Sequence, residues 1–151
     1  MNLVETFAKM SRYPMGKMLF SRAVAMKAPY FKTIRATVEE LSATRCVVSM
    51  PKRRAVHNHL ATVHAIAMCN LCELTMGVLA ESATPRSMRW IPKGMTVRYL
   101  KKAETNLTGT AEWPTVTEGV KADIVVPVKV RDSAGQIVMD ADITLYLSPK
   151  K

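Results

Sequence analysis

A chain of 151 residues with 48% apolar and 23% charged side chains predicts one globular domain, long enough to bury a core without disulfide staples. Its net charge of +10 favours anionic partners: nucleic acid, a membrane surface or a phosphate-bearing cofactor. Four Tyr, three Phe and two Trp are few stacking platforms for a single-strand binder, and the uninterrupted apolar runs are short, so neither nucleic acid nor a bilayer span is expected.

Lys9, Arg12, Lys17 and Arg22 give the start of the chain a faint transit-peptide look. Met18-Leu19-Phe20 and Ala23 to Met26 are too short for a secretory h-region. With three cysteines and no such signal, the expectation is reduced thiols and a cytoplasmic protein.

Leu3, Val4, Phe7 and Met10 recur at helical spacing, as do Met15, Met18, Leu19, Ala23 and Met26. Pro14 and Gly16 divide this stretch into two helices, and Pro29 ends the second. Residues 1–30 therefore form an N-terminal helical segment, and 31–151 the main domain. From residue 33, Ile34, Ala36 and Val38 alternate with polar residues as in a half-buried strand. Arg45 to Met50 is its antiparallel partner, followed by a basic loop at Pro51 to Arg54. The longest helical stretch runs from about Thr62 to Glu81. It is apolar on most sides, which predicts burial. Strands follow at 95–100, 107–113 and 124–131, where Pro127 suggests a bulge or an edge. Asp132 to Gly135 is a hairpin turn, and Ile137 to Leu147 alternates most clearly of all. The order predicts an α+β fold, an antiparallel sheet wrapped around one apolar helix.

All three histidines, two cysteines and a glutamate fall in HNHLATVHAIAMCNLCE, residues 57–73. A single metal ion is disfavoured: on one helix, Cys69 and Cys72 lie about 15–20 Å from His57 and His59 at about 1.5 Å per residue. A redox CxxC needs its first cysteine at an exposed helix N-terminus, whereas Cys69 is two turns inside, so the cysteines read as small buried hydrophobes. That leaves Asn58, His64 and Glu73. Asn58 precedes the helix. His64 and the Ala65 amide lie in its first turn, where unpaired N–H groups can stabilise an oxyanion. Glu73 is a carboxylate in an apolar helix, so it must be paired, structural or functional. His64 and Glu73 point about 180° apart and sit about 13.5 Å apart along the axis. One helix cannot bring them to one atom; two antiparallel copies across a two-fold axis can.

The run N-H-L-A-T-V-H-A-I-A-M-C-N-L-C-E resembles the signature of hotdog-fold acyl-CoA thioesterases: an Asn, a small-residue turn, His-Gly-Gly, and an acid nine residues after the His. It is closest to that family's domain-of-unknown-function branch, similar to phenylacetyl- and 4-hydroxybenzoyl-CoA-type enzymes. The resemblance implies a hotdog fold over about residues 30–148. It also implies Glu73 as nucleophile or general base, the Ala65 N–H as oxyanion donor, Asn58 orienting water or carbonyl, and His64 in support. The site would be shared across a homodimer that can pair further into a tetramer. No cofactor is implied beyond the CoA thioester itself. Arg53, Arg54, Arg86, Arg89, Lys93, Lys101 and Lys102 are candidates for the CoA phosphates, and Thr96 for a helper hydroxyl. Ala65-Ile66 replaces Gly-Gly, which narrows the room for substrate. The rival expectation is a non-catalytic acyl-CoA or fatty-acyl binding protein. A third is membrane docking through the basic, Met-rich residues 1–28.

Overall fold

In a computed structural model, which describes residues 2–150, the chain forms three α-helices and a six-stranded antiparallel sheet. Helices α1 (Leu3–Met10) and α2 (Gly16–Lys27) come first, then β1 (Thr37–Leu41), β2 (Arg45–Met50) and α3 (Ala65–Ala83). Strands β3 (Met88–Tyr99), β4 (Leu107–Glu112), β5 (Ala122–Arg131) and β6 (Ile137–Pro149) complete the sheet in the order β1-β2-β4-β5-β6-β3. This is the α+β arrangement expected above, with α3 held in the curl of the sheet.

The concave face is built by alternation. Val126, Val128 and Val130 of β5 and Ala141, Ile143 and Leu145 of β6 are buried, with Pro127, Lys129, Asp142 and Thr144 between them on the other face. Against them lie Leu71, Cys72, Met76 and Leu79 of α3. Gly109 on β4 lets the helix come close. A Cβ there would sit 2.8 Å from Thr75 Oγ1 and 3.3 Å from Leu71 Cγ, tighter than packed carbon atoms tolerate.

Helix α3 has 19 residues and a mean hydropathy of 1.2. This corrects the expectation from run lengths: Asn70 and Glu73 interrupt the apolar run without lowering its mean below that of a bilayer-crossing helix. Over half of that stretch is buried inside the fold, and the core helix of a sheet-wrapped domain has the same composition for the same reason, burial on most sides.

Helices α1 and α2 pack through Phe7 and Phe20, edge to face with centroids 5.1 Å apart. Asn2 caps α1, its side chain accepting the Val4 N–H at 3.1 Å. Gly16 is required where α2 begins, since a Cβ would stand 1.8 Å from the Met10 carbonyl oxygen. Ser21 then ties α2 to the sheet: its Oγ accepts the Val38 N–H at 2.8 Å and donates to the Lys17 carbonyl at 2.7 Å.

Two boundaries and the setting of Pro127 differ from expectation. Pro29–Ile34 forms a 3-10 turn instead of the start of a strand, closed by Arg35 in the left-handed region (φ 48°). Ile34 is buried, but by the turn. The third strand begins at Met88, seven residues earlier than its alternation suggests. Its Pro92 is tolerated because β3 is an edge, and a bulge between Pro92 and Gly94 resets the register. Pro127 lies neither at an edge strand nor at a bulge. It sits one residue past the last β4–β5 pair, Ala111 with Val128, where that flank of β5 is open.

Candidate active site

The loop before α3 is built by Asn58. Its Oδ1 accepts the N–H groups of Leu60 (3.0 Å) and Thr62 (3.1 Å), and its Nδ2 donates to Thr62 Oγ1 at 2.8 Å. Backbone bonds from Asn58 N–H to the Thr62 carbonyl and from Ala61 N–H to the Asn58 carbonyl close the turn. Ala61 adopts φ 58° at its apex, a strained conformation for a residue with a Cβ. The loop is anchored by Val63 N–H to the Ala103 carbonyl and His64 N–H to the Val56 carbonyl, both 2.8 Å. Asn58 thus spends its amide on shaping the turn.

His64 is the N-cap of α3, one position before the helix rather than inside its first turn. Its Nδ1 accepts the Ile66 N–H at 3.1 Å, so the ring proton belongs on Nε2. The Ala65 N–H has no partner among the described residues. It is left at the positive end of the helix, available to an anion or oxyanion. The Ile66 side chain is 57% exposed and stands at the rim.

A pocket of about 210 Å³ opens at this end of the helix, lined by Tyr30, Thr33, His57, His64, Ile66 and Asn70. Asn70 is 5% exposed. Its Nδ2 donates to Thr33 Oγ1 at 3.0 Å, while its Oδ1 is buried with no partner. A buried acceptor left unpaired is costly, so this oxygen is poised for a donor that enters the pocket. The sequence reading passed over Asn70. Its signal was the one amide inside an otherwise apolar helical run.

Glu73 is exposed in the single chain and makes no ion pair or hydrogen bond with the described residues. The expected buried carboxylate is corrected: the helix is apolar, but Ile66, Glu73, Gly77 and Glu81 share its uncovered side. A cleft of about 630 Å³ runs along this side, lined by Glu73, Gly77, Glu81, Arg86, Trp90 and Phe31. Trp90 Nε1 donates to Glu81 Oε2 at 3.4 Å. As helical spacing predicts, Glu73 and the N-terminal end of α3 are not brought together within one chain.

The basic candidates divide by place. Arg86 alone shares the cleft with Glu73. Arg53 and Arg54 lie in the segment leading to His57, and Lys101 and Lys102 precede Ala103, which anchors the loop before α3. Arg53 donates to the Thr33 carbonyl, and Lys101 Nζ to Gln136 Oε1 at 2.5 Å. Arg89 is engaged with Ser148 Oγ at 3.2 Å, and Lys93 pairs with Asp123 at 2.6 Å. Thr96 pairs in register with Asp142. It shares the convex face with Arg98, whose guanidinium bonds Asp142 at 2.9 Å, so it is on the far side of the sheet from α3.

The two helix cysteines separate. Burial pushes the Cys72 thiol up to about 12. Cys69 is half-buried, its Sγ 3.2 Å from Tyr99 Oη. Among the described residues no three His, Cys, Asp or Glu side chains converge as a metal site.

Residues 16–147 match the family described as Domain of unknown function (DUF4442). The chain belongs to that family. A structural-genomics crystal structure is similar over 98% of this chain and 99% of its own, at 35% identity and a TM-score of 0.86. A Pseudomonas aeruginosa protein of unknown function, described as a probable thioesterase, aligns at 20% identity over 83% of this chain and 91% of its own, with TM-score 0.76. A thioesterase family protein from Silicibacter pomeroyi aligns at 20% identity over 85% and 96%, with TM-score 0.71. No curated protein matches the chain. The DUF4442 chain has the hotdog fold that these structures share, and the family match begins at α2, so that helix lies within the region the family holds in common.

Proposed function

We propose that this protein is an acyl-CoA thioesterase whose site forms between two copies. The observation that carries the reading is the pairing of an uncommitted carboxylate with an uncommitted helix N-terminus on the same helix. Among the described residues of the single chain neither Glu73 nor the Ala65 N–H has a partner, and two antiparallel copies of α3 would place each Glu73 beside the other copy's Ala65. Fold similarity to proteins described as thioesterases supports the same reaction.

In this reading the thioester carbonyl oxygen points at the Ala65 N–H, which stabilises the negative charge of the tetrahedral intermediate. Glu73 attacks the carbonyl directly, or takes a proton from the water that attacks. Collapse of the intermediate breaks the C–S bond and expels the CoA thiolate. On the general-base route the acid is then free and Glu73 passes its proton to the sulfur; on the direct route a Glu73–acyl anhydride remains, which one water hydrolyses to regenerate Glu73 and free the acid, its proton going to the thiolate. The Asn70 Oδ1 holds a water or a substrate N–H near the oxyanion end. The amide in this site would be Asn70 rather than Asn58, whose Oδ1 accepts two N–H groups and whose Nδ2 donates to Thr62 within its own turn. The apolar lining of the cleft beside Glu73 receives the acyl group. Arg54 and Lys102 beside the helix N-terminus, and Arg86 beside the cleft, are the cations best placed for CoA phosphates. The reaction draws on no cofactor beyond the CoA of the substrate.

One feature favours the binding-protein alternative: Ile66 stands where thioesterases of this signature carry glycine, narrowing the approach to Ala65. Thiol release from short, long and aromatic acyl-CoAs separates the two. Glu73→Gln should lower kcat by about 100-fold or more, the range lost with a general base. Hydrolysis that survives the substitution removes Glu73 from the mechanism. Acyl-CoA binding with no hydrolysis across the panel establishes the binding protein instead.

A further inference from the structure

Between Glu5 and Glu39 the chain has no acidic residue and seven cations, from Lys9 to Arg35. Among the described residues only one of these, Lys17, has a carboxylate partner, Glu39 at 3.3 Å. The helices made by this stretch are not uniformly polar outside. Met15 is 65% exposed, Leu19 50% and Met26 65%. Leu19 and Met26 fall within about 20° of one another on α2 at about 100° per residue, and Met15 is the residue that caps its start. Tyr13 (67%) and Tyr30 (64%) flank them. Beside this ridge, a pocket of about 680 Å³ opens between α2 and β1. Arg22, Lys32 and Arg35 line it together with Met18, Met26 and Phe31, and no carboxylate is among its lining residues.

We propose that this face docks on an anionic lipid bilayer, with Leu19 and Met26 entering the headgroup–acyl boundary and the basic pocket receiving a lipid phosphate. An apolar ridge ringed by cations is what binds at such an interface: apolar area supplies insertion, and each Lys or Arg near an anionic surface adds attraction. Unbranched methionines suit a fluid, irregular partner. A second copy of this chain is a poorer occupant, because a two-fold contact would press one cationic, acid-free face against another. The face borders β1, where Ser21 bonds the Val38 N–H.

The test is co-sedimentation of the full chain with vesicles of phosphatidylcholine alone or mixed with phosphatidylglycerol, at low and high salt. The protein should bind the mixed vesicles, release with salt, and ignore phosphatidylcholine. Arg22→Ser with Lys27→Ser should lower the partition coefficient by roughly 10- to 30-fold, from about 1 kcal/mol per cation. Leu19→Ser with Met26→Ser, which leaves every charge in place, should lower it by roughly 10-fold or more. Both double variants alter exposed positions, and an unchanged Tm verifies that they fold. No binding to anionic vesicles overturns the proposal. Binding that falls with the charge variant but ignores Leu19 and Met26 also overturns it, and turns the face toward a soluble polyanion such as nucleic acid, measured by the same variants against a labelled oligonucleotide.

Discussion

The β1 edge of the sheet is closed over by α2, whereas β3, at the other edge, runs 12 residues from Met88 to Tyr99 with most of its length exposed. At β1, Ser21 satisfies the Val38 N–H, and the Lys17–Glu39 pair lies beside it. At β3, Ile91 is 53% exposed, Met95 38% and Tyr99 48%. A sheet edge left open with apolar side chains invites another strand. The chain has spent an entire helical segment on closing one edge and nothing comparable on the other. That asymmetry fits a molecule completed by a second copy at β3, the side on which Glu73 and the cleft of α3 also lie open. The Pro92–Gly94 bulge blunts the first half of β3, so the proline-free half, Met95 to Tyr99, is the stretch suited to pairing.

The largest effect should come from closing the open edge. Met95→Lys places a charge on a half-exposed apolar position of that stretch, which pairing with a second strand would strip of water. Sedimentation equilibrium should show the dissociation constant of the proposed dimer raised at least 10-fold, from a desolvation cost of about 1.4 kcal/mol or more. Thioester hydrolysis should fall in step with the loss of dimer, because the proposed site needs two copies. A dimer unaffected by Met95→Lys would move the interface away from β3, and hydrolysis retained by a true monomer would remove the shared site.

Much of this contrast was legible in the sequence and some of it was not, for physical reasons. Ile137 to Leu147 announced β6 because strict alternation is the direct imprint of a half-buried strand. The first half of β3 did not: its Pro92 argues against a strand unless the strand is known to be an edge, and edge status is a property of the whole sheet. Asn58, His64 and Glu73 stood out by residue type and spacing, yet their bonding partners did not. Nothing local says that Asn58 is consumed by Thr62, or that His64 caps Ile66. Glu73 was expected to be buried because the helix composition is apolar. Composition cannot say which stripe of a helix the sheet leaves open. Asn70 lies on the covered part of the same helix, and only its missing partner distinguishes it.

Alkali should next probe the closed side. Cys46 pairs in register with Leu41 of β1, and Cys72 faces the core from α3. Burial, before any neighbouring charge, pushes each thiol from 9.0 up to about 12. Below pH 9 both thiols are neutral folded and unfolded, so they place no pH dependence on stability. Between 9 and 12 the unfolded chain releases these protons and the folded chain keeps them, so stability falls as pH rises, by up to about 1.4 kcal/mol per pH unit for each thiol. Urea unfolding under reducing conditions should show the slope, and Cys46→Ala should remove about half of it. A flat profile from pH 9 to 11 would mean that the thiols are reached by water.

The most local variant isolates the closure itself. Ser21→Ala removes the hydroxyl that bonds the Val38 N–H while leaving the packing of α2 almost unchanged. Val38 is 1% exposed and Ser21 8%, so the freed N–H has little access to water, and a buried donor without an acceptor costs about 1–3 kcal/mol. Urea midpoints should shift by that amount at constant slope, with no change in oligomeric state, because β3 is untouched. If Ser21→Ala destabilises by less than about 0.5 kcal/mol, the ordinary range for a surface change, then the β1 edge is closed by the packing of α2 against it and the hydroxyl is incidental. The edge would then owe its protection to the same helix by a different interaction, and the contrast with β3 would rest on burial alone.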